Sequence, residues 1–143
     1  MTMIKDIMTV EVDIIGPETN VQEAAGKMKQ LNVGIMPICE NHKIIGLLTD
    51  RDIILRVIAE KKDPAHTLAR DVMTQDIIVA GEEQDVTEAQ QLMSHHQIRR
   101  LPIVNRNNLF IGMLSLGDLT ARSSAYRGGE VFEEVSQPSK PNR

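Results

Sequence analysis

Two stretches carry most of the side chains that could do chemistry. "GLLTDRD" at 46–52 places a hydroxyl, two carboxylates and a guanidinium just after an apolar run, and "GMLSLGD" at 112–118 repeats the glycine, the hydroxyl and the last carboxylate at the same spacing. Thr49 with Asp52, and Ser115 with Asp118, have the spacing of a helix capping box. An acid there also suits the positive end of a helix. The same parts can bind. A helix start offers free N–H groups that attract phosphate, and a carboxylate beside them can accept from a vicinal diol. Capping and binding do not exclude each other.

Other candidates are weighed against these. Arg99 and Arg100 begin an otherwise apolar strand pattern, "RRLPIV". Arginine pairs with phosphate oxygens through two parallel bonds, although two solvated charges on an edge strand are the simpler reading. Gly34 and Ile35 stand at the corresponding positions 65 residues earlier, and Gly117 stands opposite Arg51. Two such sites would therefore be unequal. His95 and His96 are adjacent on a helical pattern and diverge too far to share an ion readily, so no metal is expected. Cys39 is read as a small buried hydrophobe. Met8 and Met73 are read as core. No nucleophile with a base, and no phosphate-binding glycine loop, is recognisable.

The elements that position these residues come as an internal repeat. "IKDIMT" at 4–9 returns as "ARDVMT" at 69–74, an offset of 65 that also aligns Val21 with Val86, Met28 with Met93 and Pro37 with Pro102. One residue then enters in a polar turn. From there the offset is 66, aligning Gly46 with Gly112 and Asp52 with Asp118. Each copy begins with a short extended piece, 12–15 or 77–80. A helix follows, started by Asn20 with Glu23, or by Asp85 with Glu88. A hairpin pattern comes next, 33–39 with 43–48, and 99–104 with 108–114. Pro37 and Pro102 lack an N–H and belong at a strand start or an edge. A second helix closes each copy. The one over 52–60 is expected to be buried on most sides, and the one over 118–126 is weaker.

The expected fold is α/β (α+β), built from two β-α-β-β-α units, 1–63 and 64–127, with a tail at 128–143 that is partly disordered. One unit alone would have a thin core, so the two are expected to pack on each other about a pseudo-twofold axis.

Composition narrows the function. Of 143 residues 41% are apolar and 2% aromatic, so a ligand would meet aliphatic walls or proline rather than rings. The net charge of −4 argues against nucleic-acid binding. No apolar run approaches the ~20 residues that span a bilayer, and neither a signal peptide nor a disulfide pattern is present. The expected compartment is the cytoplasm.

The ordered pair "IKDIMT…NVGIMPICENHKIIGLLTDRDI" and "ARDVMT…QIRRLPIVNRNNLFIGMLSLGDL" resembles two tandem cystathionine-β-synthase (CBS) domains, a Bateman module, over residues 4 to about 125. The likeness is greatest to stand-alone bacterial pairs. The resemblance implies that the repeats pack through their sheets and form two clefts that take AMP, ADP or ATP, or else S-adenosylmethionine or NAD. It implies that Asp52 and Asp118 hold ribose hydroxyls, that Thr49 and Ser115 touch ribose or phosphate, and that Arg99 and Arg100, with Arg51, meet phosphate. Val12, Ile14, Ile77 and Val79 would line the adenine pocket, with Pro37 and Pro102 also at the ligand. Ile14 and Val79 stand where many relatives have threonine, which puts base selectivity in question. The implied protein is a non-enzymatic sensor with no obligatory cofactor, a homodimer acting on an unknown downstream protein. An interaction protein with vestigial clefts and a weak nucleotide hydrolase remain open beside it.

Overall fold

The computed structural model describes residues 1–122. The expected tail at 128–143, and the last part of the helix expected over 118–126, lie outside the described residues. The chain divides into two compact units, one formed by 13–77 and the other by 1–12 together with 78 onward. These units are cut differently from the sequence repeats at 1–63 and 64–127. The leading segment of each repeat joins the sheet and core of the other, for a steric and polar reason given below.

In the 13–77 unit, helix α1 (Val21–Leu31) starts where Asn20 Oδ1 accepts from the Glu23 N–H at 2.8 Å. It buries Val21, Ala24 and Met28, the i, i+3, i+7 stripe of an amphipathic helix. Asn32 ends it in the left-handed conformation. Strands β1 (Ile35–Glu40) and β2 (Lys43–Thr49) pair antiparallel, with Glu40 opposite Lys43. The two residues between them, Asn41 and His42, both have positive φ, 54° and 66°. That is the tight turn whose twist matches a hairpin. A short helix, α2 (Asp50–Ile53), continues as a π-helical turn over Ile54–Ile58. Helix α3 (Ala69–Val72) ends the ordered elements of this unit. Ile15, Val21, Met36, Ile38, Leu48, Val57, Ala69 and Val72 belong to one core.

The second unit repeats the scheme. Strand β3 (Ala80–Gly81) runs parallel to β4 (Arg100–Val104), which pairs antiparallel with β5 (Phe110–Ser115). Helix α4 (Val86–His96) buries Val86, Ala89 and Met93, and α5 is Leu116–Arg122. Ile4 and Ile7 from the N-terminal segment complete its core with Leu101, Ile103, Leu114 and Leu119. The inserted residue lengthens the β4–β5 turn, where Asn105 Oδ1 accepts from the N–H groups of Asn107 and Leu109. The mixed α/β class and the paired hairpins agree with the sequence reading.

Three local expectations are corrected. The extended pieces shrink to the two residues of β3 and, in the first copy, to a single parallel bridge between Ile15 and Ile38. Asp85 caps Thr87 N–H rather than Glu88 N–H, and Glu88 instead accepts from the Gln84 amide. Pro37 lies on an edge strand, as expected, and Pro102 is third in β4, ahead of the residues that pair with β3. Pro37 shares the outer side of β1 with its own carbonyl, which accepts from Ile15 N–H, and no bridge forms before that point. The missing N–H therefore costs no ladder bond. Finally, the helix at 52–60 is not buried on most sides: Ile54, Leu55 and Ile58 are 58%, 46% and 58% exposed, and only Val57 is fully covered. An apolar sequence face shows that burial is wanted, not that this unit supplies it.

A non-glycine residue at positive φ carries a cost of ~1 kcal/mol or more. His42→Gly is therefore expected to raise the urea midpoint, by roughly 0.5–1 kcal/mol of stability, without altering the hairpin.

Candidate functional site

Both acid–hydroxyl pairs form complete capping boxes. Asp52 N–H donates to Thr49 Oγ1 and Thr49 N–H donates to Asp52 Oδ2, each at 3.0 Å. Asp118 N–H donates to Ser115 Oγ at 3.1 Å, and Ser115 N–H to Asp118 Oδ2 at 3.0 Å. The capping reading of the repeated motif is thus realised twice.

Each aspartate also takes a partner that the sequence reading missed. Thr74 Oγ1 donates to Asp52, 3.1 Å from Oδ1 and 3.2 Å from Oδ2. Thr9 Oγ1 donates to Asp118 at 3.1 and 3.3 Å. These threonines end the repeated hexads "IKDIMT" and "ARDVMT". Two backbone bonds dock each hexad on the strand that leads to the aspartate. Leu47 and Thr74 exchange N–H···O bonds of 2.9 and 2.8 Å, and Thr9 and Met113 exchange two of 2.9 Å. A hydrogen bond to a charged group is worth ~1.5–3 kcal/mol, so each hydroxyl is a substantial hold. The signal in the sequence is the dipeptide Met-Thr, present in both copies.

The motif glycines make this docking possible. A Cβ on Gly112 would lie 2.6 Å from the carbonyl oxygen of Thr9, and one on Gly46 would lie 2.6 Å from Met73 Sδ and 3.0 Å from the Thr74 carbonyl oxygen. Met73 itself is buried in the core, as expected, and Met8 packs against the other core. In the 13–77 unit Arg56 adds a clamp. Its Nη1 donates to the carbonyls of Val72 and Met73 at 3.0 and 2.9 Å and lies 3.9 Å from Asp52 Oδ1.

The β4–β5 register brings the other candidates together in one unit. Arg100 stands opposite Ser115, and Leu116 N–H donates to the Arg99 carbonyl at 3.1 Å. Both arginines are exposed, and Asp118 is half-buried. In the other unit Ile35 stands opposite Thr49, Asp52 is 7% exposed, and Arg51 is exposed. The two copies are therefore unequal in charge and in access. Pro37 and Pro102 are buried within their strands; Val12 and Ile77 are half-buried; Ile14 and Val79 are exposed on irregular chain.

The repeated motif, its two hairpins and its docked hexads match a known pattern, and the model of the CBS domain fits residues 4–59 and again 69–124. The chain belongs to the CBS-domain family. It is a tandem CBS pair, and it is 45% identical over 137 residues to the CBS domain-containing protein YhcV of Bacillus subtilis, covering 95% of this chain and 96% of that one. It is 38% identical over 140 residues to the protein YlbB of the same organism, covering 96% and 93%. Among solved structures, the CBS domain pair of protein MJ0100 in complex with 5′-methylthioadenosine and S-adenosyl-L-methionine is similar, with a TM-score of 0.71 and 25% identity over 83% of this chain and 93% of that one.

The remaining chemistry of the CBS pair is quiet. Cys39 is buried, and burial pushes its thiol up to about 11, which makes it a packing residue rather than a nucleophile. Among the described residues no group of three His, Cys, Asp or Glu side chains is placed to hold a cation. His95 and His96 stack edge to face with ring centres 4.8 Å apart. No described helix is long and apolar enough to cross a membrane. A surface cavity of about 380 Å³ is lined by Glu82, Glu83, Asp85, Glu88 and Arg106 among others, and by none of the candidate residues. There the Arg106 guanidinium, hydrogen-bonded to Glu83 at 2.7 Å, holds that carboxyl below its usual range.

Gly112→Ala is expected to cost about 2–3 kcal/mol of stability, at the upper end for a forced overpacking, because its Cβ meets backbone. Gly46→Ala should cost less, because its closest clash is with a side chain and the backbone oxygen of Thr74 stands farther off, at 3.0 Å. Urea unfolding of the two variants ranks them directly.

Proposed function

We propose that this CBS pair is a non-enzymatic regulatory module that binds an adenosine-containing ligand, AMP, ADP or ATP. Asp118 takes the ribose diol, Ser115 lies beside it, and Arg99 and Arg100 take the phosphate. Asp52, Thr49 and Arg51 form the weaker counterpart. Ile14 and Ile77 in one unit, and Val12 and Val79 in the other, offer aliphatic surface for the base, and Pro37 and Pro102 are further candidates at the ligand. One observation carries the reading: strand register sets Arg100 opposite Ser115, three residues from a carboxylate that is half-exposed. Cation and diol acceptor so close together suit a phosphorylated ribose. S-adenosylmethionine is the second ligand to consider, because the MJ0100 pair binds it; NAD is a third.

The non-enzymatic reading is supported by YhcV, whose length is matched almost entirely by the two repeats and their flanks. A cytoplasmic homodimer completes the proposal. The exposed Ile54, Leu55 and Ile58 form a face that a second copy would cover. The downstream partner is a protein that distinguishes the liganded dimer.

A thermal-shift panel with AMP, ADP, ATP, S-adenosylmethionine and NADH tests the ligand. Binding at a hundredfold excess over Kd stabilises by about 2.7 kcal/mol, a shift of several degrees. Asp118→Asn should abolish it, and Arg100→Ala should remove the preference for phosphorylated ligands. No shift at millimolar ligand returns the chain to an interaction protein. ADP or AMP appearing from incubated ATP overturns the non-enzymatic reading. Light scattering should give twice the 16.0 kDa chain mass, falling to one chain in Ile58→Glu.

A further inference from the structure

We infer that a ribose diol and the Met-Thr hydroxyl compete for each aspartate, so that ligand binding undocks the hexad. The inference rests on the diol-binding reading above. Thr74 Oγ1 is nearly equidistant from the two Asp52 oxygens, 3.1 and 3.2 Å, and Thr9 Oγ1 from those of Asp118, 3.1 and 3.3 Å. Each hydroxyl therefore sits astride the carboxylate. That is the position a vicinal diol needs if it is to give one proton to each oxygen. Threonine has one proton to share between both oxygens, and a diol supplies two. The exchange satisfies the carboxylate better, but only once the threonine has left.

The carboxylate cannot step aside, because it is held by its own capping box. The threonine is stiff at χ1, and its backbone is tied to Leu47 or Met113. The hexad is the element that gives way. The two latches differ. Asp52 is 7% exposed. Asp118 is half-exposed. The hexad at 4–9 therefore opens at the lower ligand concentration. Binding and undocking are linked reciprocally: whatever loosens the hexad tightens the ligand.

Amide hydrogen exchange of the full chain, read by NMR with AMP and S-adenosylmethionine as probes, tests this. Saturating AMP should speed exchange at Thr9 and Met113 several-fold, while Leu101 and Leu114, paired within the sheet, stay protected. Thr9→Val should bind AMP roughly three- to tenfold more tightly, and Thr9→Ser should return to the wild-type value. The 2′-deoxy analogue of AMP, with one hydroxyl left, should bind without opening the latch. The inference falls, and the diol reading stands, if AMP binds while exchange at Thr9 and Met113 is unchanged or slowed, or if Thr9→Val weakens binding. If neither probe perturbs any amide, both fall together. Should Thr9→Val fail to fold, exchange in the wild-type chain decides alone.

Discussion

The bond from a threonine hydroxyl to a capping aspartate is the constraint on which each half of this chain depends. It closes a small circuit. The aspartate caps the helix that follows the hairpin, the glycine six residues earlier leaves room for a backbone to approach, and the approaching backbone delivers the hydroxyl. The docked hexad then contributes core. Ala69, Val72 and Met73 fill one unit, and Ile4 and Ile7 fill the other. A unit of some sixty residues has too little apolar area to be comfortable alone. Borrowing a segment from the neighbouring repeat is how each unit enlarges its core.

Duplication supplied two copies of this circuit, and side chains around it have made them unequal. Where the first copy has Gly34 and Ile35, the second has Arg99 and Arg100. Asp52 is almost wholly covered; Asp118 is not. The backbone geometry is nearly the same in both, down to the bond that ties the residue after the capping hydroxyl to the residue before the first strand: Asp50 N–H to Gly34 carbonyl at 2.9 Å, Leu116 N–H to Arg99 carbonyl at 3.1 Å. Chemistry has diverged on a scaffold whose hydrogen bonds have not.

The repeat, the hairpins, the helix starts and both capping boxes were legible in the sequence, because each is a local pattern of period or spacing. The latch was not. Thr9 and Asp118 are 109 residues apart, and Thr74 and Asp52 are 22 apart. No local rule joins a hydroxyl to an acid at such distances. The exchange of hexads between units was hidden for the same reason, since aligning the repeats says which segments are equivalent and not which sheet each joins. The exposure of Ile54, Leu55 and Ile58 escaped because periodicity reports an apolar face and is silent on what covers it. The candidate residues on Asp118 and Arg100 came together through strand register, which the offset between the repeats already contained.

The threonine latch and a bound diol draw on the same side of one capping carboxylate. A carboxylate has about four acceptor sites. One is spent on the capping N–H, and the threonine hydroxyl lies across both oxygens. Stability and ligand recognition are therefore set against each other at a single side chain, which is a common position for functional residues. The balance is adjustable without touching the aspartate, by changing what else holds the hexad. A clamp such as Arg56 shifts it toward structure, and an exposed aspartate beside two arginines shifts it toward a ligand. A duplicated motif can thus keep one copy as the fixed half of a fold and release the other to respond.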